Sequence, residues 1–261
     1  MRLSVISDEI SPDLDAALRV CEELAVRCVE LRVVSDHNVV WHDAAGLRRA
    51  ARALAAGGFD CPVIASPFLK TPRPEVEWEA LERSFAAAHA VGAGIVRTFS
   101  WLRDGGPAPV EVLQEALERT AAAGLALALE NEHACTVATG AESAAVLASI
   151  PDRRLGVIWD PGNEARLRLG PPAFPDGYAA VRDRVLHVHV KDAGPNGEWV
   201  RPGAGAVGWA GQLRALARDG YAGCLSVETH YTLPEGGREA ATRECVAALR
   251  GIAAAAGTGL A

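Results

Sequence analysis

VLHVHVKDA, residues 185–193, is a strand with two unlike faces. Side chains of an extended chain alternate sides, so His187, His189 and Lys191 share one face while Val188 and Val190 take the other. The valine face asks for an apolar layer against it. The opposite face is costly to bury unless its imidazoles and ammonium are hydrogen-bonded in a core or bound into a site. The residues alone leave both readings open.

Outward from this stretch one unit recurs: a short β-branched or apolar run, a turn, then an alanine-rich helical stretch. The strand runs are 3–8, 28–34, 61–66, 95–100, 126–131, 155–160, 185–191 and 224–229. Between them lie helices with usable caps. Ser11 is the expected N-cap of the first, with Pro12 at its first helical position; Thr139 opens another; GGREAATRECVAALRGIAAAA closes the chain. Strands alternating with helices predict parallel pairing and right-handed crossovers, and eight such units are the content of a (β/α)8 TIM barrel. An open doubly wound sheet is the competing architecture, but no G-x-G-x-x-G follows the first strand. The expectation is one α/β domain over 1–256, with 257–261 a frayed tail.

Composition narrows the function. The 261 residues are 49% hydrophobic and 23% charged, with no apolar run of membrane-spanning length and too short an apolar stretch at the start for a signal peptide. Six cysteines, at 21, 28, 61, 135, 224 and 245, show no C-x-x-C spacing, which fits reduced thiols in the cytoplasm. A net charge of −7 argues against nucleic acid as partner. Association into a homo-oligomer is left open.

Barrel active sites lie at the C-terminal ends of the strands. The fifth strand ends in LENEH, giving Glu130; the sixth in IWDPGN, giving Asp160; the seventh carries His189; the eighth ends in VETHY, giving Glu228. Parity agrees, since Ala126, Ala128 and Glu130 share a face, as do Cys224, Ser226 and Glu228. Three carboxylates aimed into one funnel repel unless protonated or neutralised. A divalent cation resolves this, and three oxygen ligands with one imidazole suit Mn²⁺ first, with Mg²⁺, Co²⁺ or Zn²⁺ as alternatives. Singly, each acid is as readily a helix cap and each histidine a satisfied core group; four successive strands ending this way favour the metal. His187, ~6.6 Å deeper along the strand, supports His189 or fills the core, and Lys191 is expected at the rim for substrate.

At these residues the chain resembles the bacterial sugar phosphate isomerase/epimerase family, the xylose-isomerase-like barrels. VELR, LENEH, WDPGN, HVHVKDA, RPGAGAVGW and GYAGCLSVETHY follow the family's order and spacing, from about residue 3 to 250. The resemblance implies Glu130, Asp160, His189 and Glu228 as metal ligands, with the two glutamates also an acid/base pair. It departs at Asn163, where ketose 3-epimerases of the group carry a substrate-binding histidine, and at Trp199, the nearest match to a loop arginine. Ala204 and Gly208 depart as well. These changes leave the metal set intact and the sugar open.

The implied reaction is isomerisation or epimerisation of a sugar, sugar phosphate or related polyol through an enediolate held by the metal. One glutamate removes the α-proton and the other returns it. Asn163, Lys191, His187, His133, Arg97 and Trp199 form the expected substrate-side set. For Arg97, pairing with Glu30 inside the barrel is the alternative, and Trp41 and Trp101 are further candidates for the wall. A dehydratase of an inosose- or dehydroshikimate-like substrate is the nearest competing activity. A relative of the apurinic endonucleases and a sugar-binding barrel without turnover are the more distant ones.

Overall fold

The computed structural model describes residues 1–168 and 172–261. Eight barrel strands are present: β1 (Arg2–Ile6), β2 (Cys28–Glu30), β3 (Val63–Ile64), β4 (Ile95–Thr98), β5 (Ala126–Glu130), β6 (Leu155–Trp159), β7 (Val185–Val190) and β8 (Cys224–Val227). They form one parallel sheet in the order β2-β1-β8-β7-β6-β5-β4-β3. Bridges between Cys28 and Asp60 and between Leu31 and Ile64 bring the two edges together, so the sheet is a nearly closed TIM barrel and not an open one.

Around it run α1 (Leu14–Glu23), α2 (Ala44–Gly57), α3 (Trp78–Val91), α4 (Val110–Ala122), α5 (Gly140–Ser149), α6 (Pro161–Leu167), α7 (Tyr178–Val181), α8 (Trp209–Arg218) and α9 (Gly237–Ala256). Strand parity sorts the core. Leu127, Leu129, Val188 and Val190 join the large apolar layer beneath the helices, whereas Ala128 packs with Val63 and Ile158 in a small separate cluster. The barrel interior above that cluster is left to polar groups. The cysteines are free and buried.

Three local expectations are revised. The first helix starts at Leu14, not Pro12: the Asp13 carboxylate accepts from Ala16 N at 3.2 Å, while Ser11 Oγ accepts from Asp13 N. Two caps compete in SPDLD, and the ionised one makes the stronger bond. The second strand stops at Glu30, and Val33–Val34 folds back on His37–Asn38 as a hairpin. That break lets Arg32 turn toward Asp8, Glu9 and Glu228. At the chain's end, where fraying was expected, Ala261 N donates to Met1 O at 3.0 Å and Leu3 N donates to Ala261 O at 2.6 Å. Thr139 caps α5 as expected, in a capping box with Glu142.

Glu164 on α6 ties two of these helices together, its Oε2 accepting from Gly140 N at 2.7 Å. Burial pushes its carboxyl up to about 7, from an ordinary 4.5, despite the opposing bond from Gly140. Between those values the folded chain holds a proton that the unfolded chain has released, so stability falls as pH rises through this window. Glu164→Gln keeps an accepting oxygen and removes the titration. Its stability advantage over the native chain is expected to be larger near pH 8 than near pH 5, by on the order of 1–2 kcal/mol. Urea denaturation at both pH values checks it, and a difference independent of pH would refute it.

Candidate active site and metal centre

Glu130 closes β5, Asp160 follows β6, His189 is the fifth residue of β7 and Glu228 follows β8. Each is at most 4% exposed. One ligand atom from each lies within 4.8 Å of all the others. His189 Nδ1 is 3.4 Å from Glu130 Oε1, 3.4 Å from Glu228 Oε2 and 3.7 Å from Asp160 Oδ2. Local structure aims each atom. Asp160 spends Oδ1 capping α6, accepting from Asn163 N at 2.9 Å, and leaves Oδ2 to the cluster. His189 places Nε2 at 3.2 Å from both Glu30 oxygens, which turns Nδ1 toward the carboxylates.

Glu30 is fully buried and also meets His187 Nε2 at 3.0 Å. His187 therefore lies beneath the cluster, beside Glu30. A carboxylate behind a ligating imidazole fixes its ring and raises its basicity. Arg97 does not pair with Glu30. Its Nη1 donates to Glu130 Oε2 at 3.0 Å, and Nε and Nη2 donate to the carbonyls of Ser66 and Ala65. Glu30 is already taken by two imidazoles, so the nearest open carboxylate oxygen is that of Glu130.

Lys191 is the largest revision. Expected at the rim, it is 1% exposed, with Nζ 2.6 Å from Glu228 Oε2 and 2.9 Å from Asp160 Oδ2. Gly162 makes this possible, because a Cβ there would come within 2.5 Å of Lys191 Cγ. Arg32 Nη1 donates to Glu228 Oε1 at 2.8 Å, and His230 Nε2 lies 3.0 Å from the same oxygen. The repulsion among three carboxylates is thus met in part by the chain's own cations. Burial alone would raise Glu130, but His189 and Arg97 outweigh it and hold its carboxyl below the usual range. Against the same burial, His230, Lys191 and His189 hold Glu228 well below it. Both are carboxylates at neutral pH.

Asn163, also fully buried, donates from Nδ2 to Asn131 O at 3.0 Å and to Glu130 Oε1 at 3.3 Å, while its Oδ1 lies 2.9 Å from His133 Nδ1. Its amide is occupied by protein partners. His133 Nδ1 is 2.7 Å from Glu132 Oε1, whose other oxygen accepts from Lys70 at 3.1 Å. Trp199 sits on a hairpin in which Trp199–Val200 pairs with Asp192–Ala193. Its ring centroid is 4.9 Å from Lys191 Nζ, 5.7 Å from the His133 ring and 5.4 Å from that of His230, forming a roof. Trp41 is 42% exposed against Arg83, and Trp101 donates to Glu75 O; both are engaged elsewhere. Sequence reasoning missed Arg32, His230 and the part of Glu30.

Two buried atoms in the cluster, Asp160 Oδ2 and His189 Nδ1, lack a hydrogen-bond partner; the Lys191 contact to Asp160 is an ion pair without hydrogen-bond alignment. Orphaned atoms of this kind, converging within an oxygen-rich set with one imidazole, fit a divalent cation.

The sequence model of the xylose isomerase-like TIM barrel matches residues 18–252. The chain belongs to that family. No curated protein matches it. Among solved structures, this xylose isomerase-like barrel is similar to a D-tagatose 3-epimerase-like protein (TM-score 0.77, 15% identity, 98% of each chain covered). It is also similar to the IolI protein with a bound zinc atom (0.74, 17%, 98% of each). A third is the probable 3-DHS dehydratase AsbF, involved in petrobactin synthesis, from Bacillus anthracis (0.74, 13%, 96% of this chain and 98% of that one). At such identities these likenesses show the fold.

Proposed function

We propose that this protein is a divalent-metal-dependent isomerase or epimerase of a sugar, sugar phosphate or related polyol. The observation that carries the reading is the convergence of Glu130, Asp160, His189 and Glu228, from four successive strands, on one buried point. Those four residues would hold the ion, with Mn²⁺ the first choice. A bound ion supplies Lewis-acid stabilisation of the oxygen charge that develops when a proton leaves the carbon beside a carbonyl.

The chain's own residues do the proton work. β5 and β8 are separated in the sheet by β6 and β7, so Glu130 and Glu228 face the substrate space from different sides. One carboxylate takes the α-proton to give an enediolate, and the other delivers a proton to the same carbon or its neighbour. Arg97 and Asn163 fix the Glu130 carboxylate, and Lys191 with Arg32 fixes that of Glu228. His133 and Trp199 bound the substrate side, and the Trp199 roof limits water. No helix among the described residues is long and apolar enough to cross a membrane. The proposed location, the cytoplasm, rests on the six free cysteines, which suit a reducing compartment.

The test is a panel of ketoses, inososes and dehydroshikimate followed by NMR in D₂O with Mn²⁺ titrated in. Deuterium entering one carbon of a substrate, in a metal-dependent way, is the expected result. Dehydroshikimate belongs in the panel because a 3-DHS dehydratase is among the structural neighbours. Loss of water without exchange would make the protein a lyase, and no exchange or conversion across the panel would count against the reading.

A further inference from the structure

The carboxylates that would take a divalent ion already hold a cation. The Lys191 ammonium lies 2.6 Å from Glu228 Oε2 and 2.9 Å from Asp160 Oδ2. The same two oxygens face His189 Nδ1, at 3.4 Å for Glu228 and 3.7 Å for Asp160. An ion drawing on these atoms and the ammonium therefore claim overlapping positions. The arrangement is built in. Lys191 is 1% exposed, Gly162 clears the path of its stem, and the indole of Trp209 donates to its carbonyl oxygen at 3.1 Å. Asp192 next to it accepts from the amides of Ala193, Gly203 and Val207, which anchors the loop that carries Trp199.

We propose that Lys191 is an internal counter-cation of the ligand set, holding Asp160 and Glu228 in place without metal and competing with a divalent ion for their oxygens. This rests on the metal reading above and adds what sets the affinity. Like charges a few Å apart in a water-poor site repel strongly, so an arriving ion must push the ammonium aside. The face of Trp199, 4.9 Å from Nζ, gives the displaced ammonium a favourable surface. Arg97 and Arg32 stay on the outer oxygens of Glu130 and Glu228, so the competition is specific to Lys191.

Calorimetric titration of metal-stripped protein with Mn²⁺ tests this on the native chain, Lys191→Met and Lys191→Gln. Both variants keep the stem's bulk and lose the charge. They are expected to bind Mn²⁺ tighter by roughly 10-fold or more, and to melt lower than the native chain only when metal-free. Arg119→Gln on the outer helix layer is the control and should bind as the native chain does. Uptake by the variants alone would support the proposal in its strongest form. Unchanged or weaker binding in variants that melt cooperatively would overturn it while leaving the metal reading intact; no uptake by any chain would overturn both. A second measurement needs no variant: the Lys191 ammonium ¹⁵N resonance of the native chain should shift on saturation with Zn²⁺, and an unmoved resonance would overturn the proposal.

Discussion

Glu130→Gln and Glu228→Gln, each saturated with Mn²⁺, are expected to lose ~10²–10⁴-fold in kcat with a much smaller change in KM. The substitution keeps the shape and one oxygen but removes the basic carboxylate. The geometry says what else changes. Both oxygens of Glu130 face donors, Arg97 on Oε2 and Asn163 on Oε1, so a Gln amide must point its NH₂ at one of them. Glu228 has the same problem between Lys191 and Arg32. Each variant is therefore expected to lose roughly 1–3 kcal/mol of stability as well, from a buried donor left without an acceptor. Rates must be compared on metal-loaded protein well below its melting transition. If two bases act in turn, one variant should still exchange a substrate proton with D₂O while failing to invert the centre. Wild-type kcat in both would make the glutamates ligands only.

How much of this was legible beforehand depends on what each residue answers to. The barrel was readable because it rests on periodicity: alternation put Leu127 and Leu129 outward and Ala128 inward, and the structure sorts them so. The four strand-end residues were readable for the same reason, since parity and position along a strand fix where a side chain emerges. Long side chains are another matter. Lys191 was assigned to the rim from its backbone position, but a four-carbon stem reaches wherever charge draws it, and a glycine 29 positions earlier opened the way. For Arg97, pairing with Glu30 is the alternative to a substrate role, yet two histidines claim Glu30. Arg32 and His230 lie just past strand ends, and His230 turns its ring onto Glu228 from a left-handed backbone (φ 58°) that periodicity does not reveal. Pairings between non-adjacent strands depend on the closed barrel; within one strand, spacing suffices.

The residues with the largest expected effect on metal are Asp160 and His189. Asp160→Ala removes an oxygen of the proposed ligand set and also the cap of α6, a loss of about 1 kcal/mol that Asp160→Asn would spare. It leaves the Lys191 ammonium with Glu228 as its remaining contact in the cluster and takes one negative charge from the site, which lowers its pull on any divalent ion. His189→Ala removes the one imidazole of the proposed ligand set and strands the Glu30 carboxylate beside His187. Either change should weaken Mn²⁺ binding by more than about 100-fold, exceeding what loss of a residue behind a ligand typically costs. The direct measurement is metal content and Mn²⁺ affinity of the native, Asp160→Ala and His189→Ala chains, each shown to be folded. One ion per native chain, lost in both variants, is the expected result; binding undiminished in both would contradict the metal centre.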